Sequence, residues 1–357
     1  MNGMSFPKET KERIQNYMLE LIKKNELNNC KEKTMRTFDI SNTTYYRYLK
    51  DLEKNNLIEK IENHYQLIKK TKAHDCYKNI NLEEDIIYWD DIAPHLSGIN
   101  ANAQAIWYYA FCEMMNNAIE HSSADTIQVY IEENALEITL SILDNGVGIF
   151  RNISNFIKES TGVDLSLEEA REELFFGKFT TKSENHAGEG IFFTSRIMDH
   201  FLIVSDELIF SHDIYSDFKA SLTDVMSDTK LIRKGTYVTM GLSKNTNKKT
   251  ADVFNIYAPV EEGFIKTEIL LRNFCEHGYP VSRSQARRII NRMNKFKEIT
   301  IDFEEISDIG QAFCHEIFVV FQNNYPDMKI NNINANKAVS GMITRVLNTA
   351  KLKDNQK

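Results

Sequence analysis

The sequence predicts a multidomain α/β protein, and three observations carry that prediction. Residues 1–72 are locally basic and follow the order helix, helix, helix, hairpin. Residues 84–243 contain a long helix, a hairpin ending in glycines and a later Gly-Thr strand start. Residues 262–350 alternate strand and helix three times. The 357 residues suffice for two or three ordinary cores, and 42% apolar with 26% charged excludes the disordered classes. Apolar runs are short, such as FLIV at 201–204, and the N-terminus lacks an apolar stretch behind a basic start, so a cytoplasmic protein without membrane association is expected. Cys30, Cys76, Cys112, Cys275 and Cys314 are scattered, with no C-x-x-C pair, which argues against a disulfide framework or a zinc ribbon.

Charge is distributed unevenly. Residues 1–72 carry 15 Lys and Arg against 10 Asp and Glu, and the remainder carries 28 against 41. Such a split suggests an appended module that meets a polyanion, although a solvated charged face is the ordinary alternative. Within the module, helical patterns run from Glu9 to Lys24 and from Lys31 to Phe38. Ser41, Asn42 and Thr43 then open a helix with apolar or aromatic residues at 45, 48, 49 and 52, before a hairpin turning at Glu62-Asn63. This order resembles bacterial winged helix-turn-helix domains. The resemblance implies duplex DNA as a partner, read by a helix at 42–54 through Thr43, Thr44, Tyr46, Arg47 and Lys50, with docking to protein as the alternative. A polar stretch from Lys69 to Asn81 is expected to separate this block from the next.

In the middle block, AFCEMMNNAIEHSS at 110–123 reads as a helix whose i, i+4, i+8 spacing aligns Glu113, Asn117 and His121 on one face. The hairpin TIQVYIEENALEITLSILDNGVGI follows, and its Gly146 and Gly148 let backbone approach a ligand. Forty residues on, Thr181 and Lys182 precede Gly188-Glu189-Gly190 and a helix, where backbone amides suit phosphate. Gly235-Thr236 then opens a strand. Each signal alone is weak; the fixed order is specific.

Together these motifs resemble the GHKL superfamily of ATP-binding domains, the Bergerat-type α/β sandwich of gyrase-type ATPases, MutL proteins, histidine kinases and anti-sigma-factor serine kinases. The resemblance covers 84–243 and implies ATP and Mg²⁺ as cofactors. By it, Asn117 holds the Mg²⁺, Asp144 accepts from the adenine amino group, and Gly146 and Gly148 floor the nucleotide. Thr236 sits near the adenine edge, while Thr181, Lys182, Gly188 and Gly190 approach the phosphates. Residues between Phe150 and Ala187 become a flexible lid. Phe192 departs from the family's G-x-G-x-G pattern, which many members complete with glycine; the serine-kinase branch tolerates bulk there. A carboxylate at 113, four residues before the metal asparagine, suits activation of water or an alcohol, whereas many histidine kinases carry an amide. Glu113 is therefore the candidate catalytic residue, and His121 is read as a structural helix-end residue.

A second polar linker is expected at 243–250. The last block shows strands at 267–272, 298–304 and 328–332 and helices at 282–295, 311–322 and 336–350. It resembles STAS-like domains of unknown function found beside bacterial ATP-binding domains. STAS antagonists place a phosphorylatable serine in a D-S-S-G turn; here SDIGQAF puts Gln311 and Ala312 near that position, so phosphoswitching there is not expected. Ser282 and Ser284 read as helix caps, and Arg283, Arg287 and Arg288 as a basic face suited to RNA, DNA or simply solvent, with solvent the favoured reading. The favoured function is an ATP-dependent bacterial regulator whose slow hydrolysis switches DNA or protein binding by the flanking domains. The competing reading is a serine/threonine kinase of the anti-sigma type with a STAS or sigma-type partner; a homodimer is left open, and an ATP-bound scaffold is a third class.

Overall fold

The computed structural model describes residues 6–24, 27–62, 64–177, 189–211, 234–275 and 279–354. The chain divides into two compact units: residues 1–146 with 198–203 and 235–247, and residues 147–197 with 204–234 and 248–357.

The first unit begins with α1 (Lys8–Lys23), α2 (Leu27–Phe38), α3 (Asn42–Lys54) and an antiparallel hairpin of β1 (Ile58–Ile61) and β2 (His64–Leu67). The expected helix, helix, helix, hairpin order is present, with α2 starting four residues earlier than the sequence pattern suggests. Spacing explains the packing: Ile14, Met18, Leu21 and Ile22 form one buried stripe of α1, and Tyr45, Tyr48, Leu49 and Leu52 form that of α3. The Ser41 hydroxyl caps α3 by accepting from the Thr44 amide at 3.2 Å.

Residues 70–78, expected within a polar separator, instead form β3 (Lys70–Lys78), which pairs antiparallel with β4 (Thr126–Glu133). Its alternating exposed and half-buried residues fit an edge strand, whose polar composition disguises it as linker. Next come α4 (Glu84–Ile87), which continues through a π segment, Tyr88–Ile92, and a 3-10 turn, Ala93–Leu96, and then α5 (Ala101–His121). With β5 (Glu137–Asp144), β6 (His200–Ser205), β7 (Leu208–Ser211) and β8 (Thr236–Ser243), the six-stranded sheet has the order β3-β4-β5-β8-β6-β7. The ladders β3–β4, β4–β5 and β5–β8 are all antiparallel. Ile127, Val129 and Ile131 of β4 and Ile138, Leu140 and Ile142 of β5 are buried on one face, and α5 packs against β5 and β8.

The β4–β5 turn also reaches the N-terminal helices. Ala135 and Leu136 pack against the cluster that includes Ile14, Met18 and Leu52, and Lys23 Nζ donates to Glu137 Oε2 at 2.6 Å. His200 Nε2 lies 3.5 Å from that ammonium and 3.7 Å from the same carboxylate. The expected linker at 243–250 is likewise largely committed: Lys244 donates to the Asn134 carbonyl, and Asn100 Nδ2 donates to that of the buried Thr246.

The second unit holds α6 (Ile149–Thr161), α7 (Leu167–Phe176), α8 (Gly190–Ile197) and α9 (Thr250–Tyr257). Then follow β9 (Lys266–Leu270), α10 (Arg283–Met293), β10 (Glu298–Asp302), a helix α11, β11 (Lys329–Ile333) and α12 (Lys337–Asp354). α11 runs through Gln311–His315, a π segment Glu316–Phe321 and Gln322–Asn324. The three strands form a parallel sheet in the order β11-β10-β9. Glu298 at the start of its central strand accepts from Lys329 and Lys266, and these partners hold its carboxyl down at about 2.

One expectation changes here. The stretch expected as one flexible lid from Phe150 to Ala187 contains two packed helices, α6 and α7, which bury Phe150, Ile153, Ala170, Leu174, Phe175 and Phe176; residues 178–187 lie outside the described ones. Apolar periodicity in both helices is the physical reason. The basic face of α10 is exposed as expected, with Arg283 and Arg287 both 62% exposed, and Arg287 Nε in addition donates at 2.6 Å to the buried carboxylate of Glu316. Phe192, the departure from the glycine pattern, is 1% exposed in an aromatic cluster with Tyr257 and Phe264, its ring centroid 4.6 Å from that of Phe264. Neighbouring Phe193 stacks on Phe254 at 4.2 Å. Bulk at 192 thus fastens α8 to α9 and the segment leading into β9.

Ser282 caps α10 as expected, in a reciprocal box with Gln285. Gln311, at the first position of α11 after Gly310, offers no hydroxyl, and exposed Ser307 precedes it on the loop.

Candidate functional site

The site grows from the end of β5. Side chains alternate along a strand, so Asp144 falls on the same face as Ile138, Leu140 and Ile142. It is 5% exposed, and its Oδ1 accepts from the Gly146 amide at 2.8 Å and the Thr236 amide at 3.3 Å. Burial pushes its carboxyl up to about 6, against the opposing pull of those donors. A buried carboxylate with a fixed orientation is suited to accept from one further N–H group.

Two glycines let the backbone close around it. A Cβ on Gly146 would overlap the Ser122 carbonyl, and one on Gly235, whose φ is +96°, would overlap the carbonyl of Asp144 itself. Thr236 is buried at the start of β8, beside Asp144 through the antiparallel β5–β8 ladder. Sequence reasoning did not single out Asn145 or Ser122, which lock the same corner. Asn145 Oδ1 accepts from the amides of Asp125 and Thr126, and Ser122 Oγ caps the end of α5. The Asp-Asn-Gly string signals such a turn, because Asn readily hydrogen-bonds nearby backbone.

On α5, the buried residues Ala103, Ile106, Trp107, Ala110, Phe111, Met114, Met115 and Ala118 define the core face. Glu113, Asn117 and His121 are all half-buried on the flank. One helical turn separates the Glu113 carboxylate position from the Asn117 amide. Among the described residues no group of three or more His, Cys, Asp or Glu converges. On this flank Glu113 offers a carboxylate and Asn117 an amide oxygen, with half-buried Asn116 and exposed Glu120 beside them. That set fits a hard cation such as Mg²⁺, which keeps water and takes most of its ligands from phosphates.

Asp144, Gly146, Thr236, Glu113 and Asn117 thus share the first unit. Gly148, buried at the N-terminus of α6, and Gly190, the first residue of α8, belong to the second. Thr181, Lys182 and Gly188 lie outside the described residues. On α3, Thr43, Tyr46, Arg47 and Lys50 are exposed at i, i+3, i+4 and i+7, hence on one face, while Thr44 is half-buried beside Ser41.

Residues 103–242 match the family described as histidine kinase-, DNA gyrase B-, and HSP90-like ATPase, and residues 285–340 match that described as STAS-like domain of unknown function. No curated protein matches the chain. No described helix is long and apolar enough to cross a membrane. The chain therefore carries an ATPase domain of the histidine kinase, gyrase B and HSP90 type, which implies nucleotide binding, followed by a C-terminal STAS-like domain.

Proposed function

We propose that this protein is an ATP-dependent regulator in which nucleotide binding and slow hydrolysis alter DNA or protein binding by the flanking modules. The observation that carries this reading is the position of β5. Its last residue, Asp144, is the proposed adenine acceptor; its first, Glu137, pairs with Lys23 at the end of α1, and Leu136 before it packs into the N-terminal core. One strand thus touches both the base site and the proposed winged-helix module. On the other side, α8 begins at Gly190 of the proposed phosphate loop and is fastened through Phe192 and Phe193 to the segment that enters the STAS-like domain.

In this reading Asp144 accepts from the adenine amino group, selecting ATP over GTP, with Thr236 at the base edge and Gly146 and Gly148 beneath the nucleotide. Thr181, Lys182, Gly188 and Gly190 approach the phosphates. Asn117 would hold Mg²⁺ through its amide oxygen, and the ion would supply charge neutralisation at the phosphates. Glu113 orients and deprotonates the attacking water. The amide at 117 and carboxylate at 113 divide the work: one holds, the other activates.

Residues 1–72 are assigned to duplex DNA through Thr43, Thr44, Tyr46, Arg47 and Lys50. Gel shifts on genomic fragments at two salt concentrations, with and without a non-hydrolysable ATP analogue, test this. Affinity should fall steeply with salt, fall further in Arg47→Ala/Lys50→Ala, and change with the analogue. No binding at low salt would assign the module to protein docking instead. The carboxylate at 113 equally suits transfer to an alcohol, the serine/threonine kinase reading with a STAS-domain partner. γ-Labelled ATP decides: label released as free phosphate supports the switch, and label on protein supports the kinase.

A further inference from the structure

We propose that the surface formed by Ile86, Trp89 and Tyr108 docks a cationic amphipathic segment of a partner protein. The chain has two tryptophans. Trp107 is 1% exposed inside the α5 core, whereas Trp89 is 60% exposed. Large aromatic side chains are seldom left so open. Nor is Trp89 a loose side chain: its ring lies 5.4 Å from that of Tyr108 and 5.2 Å from that of Tyr88, which is itself buried and 5.0 Å from Tyr108. Ile86 and Tyr108 extend the apolar area at 51% and 39% exposure. The result is a prearranged aromatic shelf, which loses little side-chain freedom on binding. It sits on the π segment 88–92, an irregularity frequent at functional positions.

Charge selects the occupant. Residues 83–91 contain five carboxylates and neither Lys nor Arg. Asp85 and Asp90 are exposed beside the shelf, and half-buried Asp91 accepts from Tyr77. The field of Glu84 and Asp85 also reaches Cys112 on α5, where it adds to burial in pushing the thiol up to about 12. Nucleic acid and acidic segments are repelled by such a border. An arginine or lysine can lie over the indole face and pair with the carboxylates, while an adjacent apolar side chain covers Ile86 and Tyr108. This surface is therefore distinct from the basic exposed face of α3, and its assignment does not depend on nucleotide binding.

The test uses the full chain and a fluorescein-labelled amphipathic peptide of leucine and arginine, with a glutamate-for-arginine version as control. The arginine peptide should bind with an affinity that falls with salt, and Trp emission should shift to shorter wavelength as Trp89 is covered. Trp89→Ala should weaken binding, read by peptide anisotropy, roughly tenfold or more. Asp85→Lys with Asp90→Lys should weaken it comparably at an unchanged melting temperature. Equal binding by parent and Trp89→Ala, or equal affinity for the glutamate peptide, would overturn the proposal. A blue shift that grows with protein concentration in the absence of peptide would also overturn it, assigning the shelf to a second copy of this chain.

Discussion

Glu113→Ala should bind ATP as the parent does but turn it over about a hundredfold or more slowly, the usual scale for losing a general base. The separation follows from α5. Glu113 and Asn117 lie one turn apart on its half-buried flank, and neither belongs to the core stripe that holds the helix in place. Truncating Glu113 therefore leaves packing intact and removes one carboxylate from the reacting end. In the proposed reading the contacts to base and phosphates come from Asp144, Thr236, the glycine loops and Asn117 rather than from Glu113, so affinity should be retained. Asn117→Ala supplies the contrast: it should abolish Mg-ATP binding, because the proposed metal–phosphate cluster would lose its helix ligand. Calorimetry with Mg-ATP and a single-turnover phosphate assay on both variants measure the two effects. Parental turnover in Glu113→Ala would make that carboxylate a structural group and place the chemistry elsewhere.

Asp144→Asn is expected to stabilise the nucleotide-free protein while damaging adenine selection. Burial raises the Asp144 pKa from its ordinary 3.8 to about 6, so the folded state holds the proton more tightly than the unfolded chain. The favourable contribution is complete below about pH 4 and is lost as pH rises through about 6. At pH 7.5 the ionised side chain thus costs roughly 2 to 3 kcal/mol relative to a neutral one. The amide retains an oxygen for the Gly146 and Thr236 N–H groups and avoids that cost. It also presents N–H groups where the adenine amino group needs an acceptor, so ATP affinity and the preference over GTP should fall. In the parent, ATP affinity should decline as pH drops through 6 while the melting temperature of the free protein rises over the same interval. In Asp144→Asn the part of both pH dependences that Asp144 contributes should be lost, so that each profile is flatter than the parent's. Scanning calorimetry and ATP titration between pH 5 and 8 test the pair, and a parent melting temperature independent of pH would sink the assignment of the shift to Asp144.

Much of the candidate site was legible because its constraints are local. The Glu-x-x-x-Asn spacing places two polar groups on one helix flank whatever surrounds the helix. The glycines at 146 and 235 stand where backbone passes too close for a Cβ. Helix and strand order in the C-terminal block followed from periodicity alone, and β9, β10 and β11 appear within two residues of where the pattern starts them. These features need only a few consecutive residues to declare themselves.

What the chain could not declare by itself depends on residues distant in sequence. The stretch at 70–78 reads as linker because its residues are polar; only pairing with β4 makes it an edge strand. Phe192 shows in the sequence only as a departure from the glycine pattern; that Tyr257 and Phe264 surround it is decided by the fold. Arg287 is solvated as its sequence context suggests, but only the fold shows that it also pairs with the buried carboxylate of Glu316, 29 residues later. The raised pKa of Asp144 likewise comes from burial rather than from any neighbour in its own motif. Local spacing determines which groups can share a face, because helix and strand periods act over a few residues. Partnership and desolvation between distant segments are decided by packing, where a side chain's free energy depends on what the rest of the chain removes from water.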